Sequence, residues 1–344
     1  MSFRFISTTT RHWQLTFGLI ASVLSCLPAT AQHASEEEQT QAALAGIYIT
    51  PSKTDPEIKT FDFSHRLHVD RDIVVRQLSG KPSARHELVV FLPGTGGRAK
   101  GTEAFCQLAA SQGYHVIRLM YPDNVSASIS RRDKDPKAFE DFRLCLIQGG
   151  TSPHITVSRA DSIENRLIKL LVHLKKIRAQ EGWGEYLDEA GGLNWEKLVL
   201  SGQSQGGGHA ILMAMKHKVA RVIATGAPKD WSLVTNAPAA WLTHESATPR
   251  SRIFAFNHEQ DFQACTPEQQ WQILKTLGLD QFGPVTSVDA QKPPYHHSRS
   301  LSTNYPGGTL ESKPAHGSVI ANQYEEIFKP VWLYMLTEPT SFTP

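Results

Sequence analysis

The sequence predicts a doubly wound α/β domain: a mostly parallel sheet with helices on both faces. Three observations predict it. Short apolar runs recur at 87–92, 114–121, 197–202, 221–225 and 252–257, and such runs suit strands buried on both faces of a parallel sheet. Segments of helical period stand between several of them, which is the βαβ succession. Two of the strands end in glycine-rich turns, at 93–97 and 202–208, where the backbone must bend sharply or approach another group closely.

Taken in order, residues 1–31 read as a signal peptide. Arg4 and Arg11 make a positive start, a charge-free apolar stretch runs from Leu15 to Leu27, and Ala29-Thr30-Ala31 has the small-x-small pattern of a cleavage site. The apolar stretch falls short of the roughly 20 residues that a bilayer span needs, so the expectation is export, to the periplasm or the medium. Val23-Leu24-Ser25-Cys26 leaves open a lipid on Cys26 as the alternative. The polar stretch 32–45, with Glu36, Glu37 and Glu38, predicts disorder. Residues 32–65 are read as a partly disordered N-terminal segment and 66–344 as the domain.

Within the domain a strand is expected at 72–77 and a stronger one at 87–92, ending in Pro93-Gly94-Thr95-Gly96-Gly97. A helix at 102–112 stops at Gly113, and a strand at 114–121 is closed by Pro122. Residues 122–157 are polar and read as an irregular excursion above the sheet. Asn124-Val125-Ser126 is a glycosylation sequon by pattern only. Ser158 and Asp161 have capping-box spacing, and Ile163, Leu167, Leu170, Leu171, Leu174 and Ile177 make one apolar helical stripe, with His173 an ordinary helix residue. Strand 197–202, helix 206–217 and strand 221–225 follow. A second excursion at 226–250, strands at 252–257 and 300–304 and a helix at 318–336 complete the chain.

Composition bounds the function. Hydrophobic residues make up 40% and charged residues 20%, and 35 basic against 33 acidic side chains give a formal charge of +2. That is ordinary for a globular core, and no clustered basic face points to nucleic acid. Without residues 1–31 three cysteines remain, Cys106, Cys145 and Cys265. Export permits one disulfide among them, and three buried thiols are the equal alternative. No Cys/His spacing suggests a metal site, and no cofactor is expected.

The chemistry concentrates in Gly202-Gln203-Ser204-Gln205-Gly206. This G-x-S-x-G pattern lies between an apolar strand and an alanine-containing helix, where it forms a sharp turn that lifts the serine above a sheet. Small neighbours are needed because side chains there collide. A serine hydroxyl is a poor nucleophile and needs a base, and in this fold the partners follow in the order acid, then histidine. Asp261, in the turn after strand 252–257, is the expected acid, with Glu259 and Asp230 as alternatives. His316 lies after the last strand and is the expected base. His296 and His297 precede that strand, and His209, on the helix, should point away. The backbone N–H groups of Gln205 and Thr95 are the expected oxyanion donors. A phosphate-binding reading of 94–97 lacks the G-x-x-x-x-G-K-[ST] pattern.

FLPGTGG, GYHVIRLMYP, SIENRLIKLLVHL, LSGQSQGGGHA and PAHGS occur in that order. Together they resemble the BPSS1187-like family of α/β-hydrolases, a bacterial group, over most of the chain after about residue 85. The serine turn followed by GGGHA is the most specific piece. The resemblance implies Ser204 as nucleophile, His316 as base and an acid near Asp261. Gln203 departs from it, since histidine is expected before the serine, and it leaves the mechanism untouched.

The resulting expectation is an exported serine hydrolase acting on carboxylic esters through an acyl-enzyme, without metal or organic cofactor. A peptidase or acyltransferase with the same triad, and a non-catalytic binding protein on the same fold, are the alternatives. Trp231 and Trp241, in the second excursion, are either an apolar wall of the pocket or core.

Overall fold

The computed structural model describes residues 46–59, 72–75, 84–97, 101–306 and 312–341. The expected signal peptide, Cys26 and the stretch 32–45 lie outside them.

The apolar runs form the centre of one nine-stranded sheet. Its strands are β1 (Ile47–Ile49), β2 (Asp72–Val75), β3 (Leu88–Leu92), β4 (His115–Arg118), β5 (Leu198–Gln203), β6 (Arg221–Thr225), β7 (Ile253–His258), β8 (Thr286–Ser287) and β9 (Ser300–Thr303). The spatial order is β1-β2-β4-β3-β5-β6-β7-β9-β8. The seven strands from β4 to β8 are mutually parallel, and β1 and β2 add an antiparallel edge. The arrangement is that of the α/β-hydrolase fold. β1 lies inside the segment 32–65, so the sheet reaches further toward the N-terminus than residue 66.

Alternation along each strand sorts the core into two layers, because successive side chains point to opposite faces. Leu88, Val90 and Leu92 join one core with helices α2 (Ala138–Gln148), α3 (Ile163–Ile177), α4 (Gln205–Lys216) and α5 (Pro267–Thr276). Val89 and Phe91 join the other with α1 (Glu103–Ser111) and α7 (Glu325–Thr337). All five residues of β3 are fully buried, each such large side chain contributing about 1.5–3 kcal/mol by leaving water.

Several local expectations are revised. The excursion 122–157 is not irregular throughout. It carries α2, which buries Phe139, Phe142 and Leu146, and a short hairpin at 150–151 and 156–157. Ser158 and Asp161 do bond each other, Oγ to Oδ2 at 2.7 Å, but in a turn ahead of α3. The cap is Ser162, whose Oγ accepts from Asn165 N. α5 follows a Thr266/Gln269 capping box with Pro267 at its first turn. The helix expected at 318–336 begins later, as α7 at Glu325, and a separate helix, α6 (Ser312–Ser318), precedes it. Between them Asn322 opens a 3-10 turn, and its Oδ1 accepts from Ala104 N in α1 at 3.0 Å.

The chain runs from β3 out to β4 and then returns to β5 on the other side of β3, so the strand order reverses between β3 and β5. In open α/β sheets such a switch point opens a crevice at the carboxyl ends of the strands. The turns carrying Thr95 and Ser204 leave the sheet there side by side, since Leu92 is registered with Gly202.

Candidate active site

Ser204 occupies the turn between β5 and α4 with φ 55° and ψ −118°, a strained conformation for a residue with a side chain. The surroundings hold it there. Its N–H donates to Thr225 O at 2.8 Å and its carbonyl accepts from Gly208 N at 3.1 Å. A Cβ on Gly202 would stand 2.4 Å from Gly206 C, and one on Gly206 would stand 2.1 Å from Leu92 O. Both contacts are with backbone, so only glycine fits on either side of the serine. The first N–H groups of α4 lack intrahelical partners and carry the positive end of the helix dipole to this turn.

The loop after β3 is tied to the same place. Thr95 Oγ1 donates to Gln205 Oε1 at 3.0 Å, and the same oxygen accepts from Ala127 N at 2.7 Å. The buried Gln205 side chain thereby links the β3 loop to the excursion that follows β4. Tyr121 Oη donates to Pro93 O at 2.7 Å and Gly96 N to Asp123 O at 2.9 Å, fixing the loop from behind.

From the other side, β7 and β9 bring Asp261 and His316 together. His316, in α6 rather than in a loop, donates from Nδ1 to Asp261 Oδ2 at 2.7 Å. With Nδ1 so engaged, Nε2 is the nitrogen whose lone pair can take a proton. Asp261 is 1% exposed, its Oδ1 accepts from Gln263 N at 3.0 Å, and Lys229 Nζ lies 2.8 Å from Oδ2. Burial raises the Asp261 pKa, but the hydrogen bond and charge of His316, and then the Lys229 ammonium, bring it below the usual aspartate value. Ser204, His316, Thr95, Gln203, Ser126 and Lys229 line one cavity of about 420 Å³.

The alternative carboxylates are engaged elsewhere. Asp230 is held by Arg143, Nε to Oδ2 at 2.7 Å and Nη2 to Oδ1 at 2.5 Å, and by Trp241 Nε1 at 2.8 Å. Glu259 accepts from Ser302 Oγ at 2.9 Å and lines a separate cavity with Trp271. His296 and His297 precede β9 and so lie at the amino ends of the strands, where His297 Nδ1 bonds Glu338. His209 is fully buried on α4, edge-on to Tyr121, and burial holds its pKa well below the usual value. Trp231 and Trp241 are buried in the core and do not line the cavity, so the apolar-wall reading gives way to packing.

Arg143 and Lys229 escaped the sequence reading. Arg143 sits on α2, whose Phe139, Phe142 and Leu146 already have helical spacing inside the stretch read as irregular. Lys229 adjoins Asp230 in the turn after β6. Cys106, Cys145 and Cys265 are free and buried, and burial raises the thiol pKa values of Cys106 to about 12 and of Cys265 to about 11. Among the described residues no group of three or more His, Cys, Asp or Glu is arranged to hold a metal ion, and no helix is long and apolar enough to cross a membrane.

No family model matches the chain, and no curated protein does. Solved structures similar to it include a thermophilic esterase, Est2, of the Planctomycetes species Thermogutta terrifontis, at 14% identity and a TM-score of 0.42 over 84% of this chain and 89% of that one. An acetyl ester-xyloside bifunctional hydrolase from Caldicellulosiruptor lactoaceticus has 12% identity and a TM-score of 0.40, covering 82% and 96%. An alpha-beta serine hydrolase homologue from Coxiella burnetii has 13% identity and a TM-score of 0.34, covering 63% and 85%.

Proposed function

We propose that this protein is a serine hydrolase cleaving carboxylic esters, with Ser204 as nucleophile, His316 as general base and Asp261 as the acid that orients it. The observation that carries the reading is the 2.7 Å bond from His316 Nδ1 to Asp261 Oδ2, in a cavity whose wall also contains Ser204 on its strained turn. In the first step His316 Nε2 takes the Ser204 proton as Oγ attacks the acyl carbon. Asp261 stabilises the imidazolium that forms. The backbone N–H groups of Gln205 and Thr95 are the proposed donors to the oxyanion. The imidazolium then protonates the leaving alcohol. In the second half-reaction His316 takes a proton from the water that attacks the acyl-enzyme, then returns it to Ser204 Oγ as the acyl bond breaks and the acid is released.

Export belongs to the same proposal: residues 1–31 act as a signal peptide, and the mature chain begins at Gln32. The alternative terminus, a lipid on Cys26, is separated from it by the mass of the mature N-terminus.

The test is turnover of p-nitrophenyl acetate and butyrate together with labelling by a fluorophosphonate probe. Labelling of the wild type and its loss in Ser204→Ala are the expected results. A chain that neither turns over nor labels would make this a binding protein on a hydrolase fold.

A further inference from the structure

Asp261 Oδ2 serves two cations. It accepts from His316 Nδ1 at 2.7 Å and lies 2.8 Å from Lys229 Nζ. Lys229 Nζ also donates to the Asp261 carbonyl at 3.3 Å, and the lysine side chain is 8% exposed. The two nitrogens meet on one oxygen, so the ammonium and the imidazole are close neighbours in a partly dehydrated site.

In a Ser–His–Asp arrangement the carboxylate lowers the cost of charging the imidazole. Here that carboxylate already faces an ammonium. The ring therefore sees an ion pair rather than a bare negative charge, and its charged form gains less.

The other groups around the trio leave this balance to Lys229. Across the cavity, Arg143 from α2 and Asp230 from the β6 turn neutralise each other. Cys265, ahead of α5, is kept a neutral thiol by burial. Burial lowers the pKa of His258, at the end of β7, against the hydrogen bond with the Tyr305 backbone and the charges of Asp261, Asp289 and Glu259. Arg131, from the excursion after β4, acts more weakly on Cys265 than Lys229 does.

We propose that Lys229 is a positioning residue that sets the acid limit of the reaction: by sharing Oδ2 with His316 it keeps the imidazole neutral, and able to take the serine proton, to lower pH than an Asp–His pair alone would. The inference rests on the triad reading above and adds to it a specific role for a residue outside the triad.

The experiment is the pH dependence of kcat/KM for p-nitrophenyl acetate, and of the fluorophosphonate labelling rate, in the wild type, Lys229→Met, Lys229→Gln and Lys229→Arg. Removing the charge should move the acid limb up by about one pH unit. The Met and Gln chains would then lose about tenfold in rate below the limb and much less on the alkaline plateau. Lys229→Arg should keep the limb of the wild type. Lys229→Gln leaves a neutral donor for Asp261 should the methionine chain fail to fold. An acid limb that stays in place in the neutral variants, whatever happens to the plateau, overturns the inference and reduces Lys229 to packing. Absence of Ser204-dependent labelling at every pH in the wild type would instead remove the serine-hydrolase reading, and this inference with it.

Discussion

Arg143 grips Asp230 through two parallel hydrogen bonds, and neither side chain is more than 2% exposed. A third N–H of the guanidinium, from Nη1, donates to the Gln205 carbonyl at 3.0 Å. The pair therefore joins α2, the turn after β6 and the start of α4 directly behind Ser204. Breaking one half of such a pair strands a buried charge. Arg143→Met should cost about 3–5 kcal/mol of stability, measured by denaturant unfolding. The double variant Arg143→Met/Asp230→Leu should recover much of that loss, because two uncompensated charges leave together. Equal destabilisation by the single and double variants would contradict this account.

Asp261 and Glu259 separate by activity. Asp261→Asn should lower kcat by about 10⁴-fold, the order that a Ser–His–Asp site loses when its acid is neutralised. Glu259→Gln should retain the wild-type order of activity, because that carboxylate bonds Ser302 and lines a different cavity. Comparing kcat for the folded variants decides it. Loss of activity in Glu259→Gln with Asp261→Asn intact would reverse the assignment.

Gly206→Ala would drive a Cβ into the Leu92 carbonyl at 2.1 Å. Its nearest neighbours are all backbone atoms of Leu92 and Pro93, so no side chain can move aside. The expected result is a chain that unfolds at lower temperature and loses fluorophosphonate labelling, the two being read by calorimetry and gel fluorescence. A variant that labels at the wild-type rate would mean the elbow tolerates a side chain.

Stability should fall with acid in a window defined by His115. Burial pushes its pKa down to about 4 from an ordinary 6.5, while it stacks on Trp183 and bonds Tyr186 Oη at 2.7 Å. The unfolded chain binds the proton first, so the stabilisation is complete above the unfolded value and is lost as pH falls toward the folded one. The loss attributable to this group is about 3 kcal/mol between pH 6.5 and 4. Urea unfolding across that range measures the slope, and His115→Gln should flatten it.

The thiols should be silent in the folded state. Cys106, Cys145 and Cys265 are all buried and unpaired, and thiolate is the reactive form. Titration with a disulfide reagent should find none of the three in native protein and all three after denaturation. Rapid reaction in the native state would contradict their burial.

Much of the fold was legible because its signals are local. The runs at β3, β5, β6 and β7 are apolar on both faces, and the G-x-S-x-G turn states its own steric requirement in consecutive residues. α2 was not legible in the same way. Lys137, Glu140, Asp141 and Arg143 made the stretch look like surface, yet Arg143 is buried against Asp230. The late start of the C-terminal helix was equally hidden, because Asn322, just ahead of it, bonds an N–H more than 200 residues away in sequence.

The sequence by itself determined the doubly wound sheet, the position of Ser204 between a strand and a helix, and the glycines that its turn requires. Periodicity and backbone crowding act between near neighbours and can be read residue by residue. Only the tertiary structure decided which carboxylate reaches His316. Asp230, Glu259 and Asp261 each follow a strand by a few residues and look alike in sequence. What separates them is the partner each meets, and Arg143, Ser302 and His316 arrive from α2, β9 and α6. A charge in a protein interior is assigned by the groups that compensate it, and those are chosen by packing across the chain.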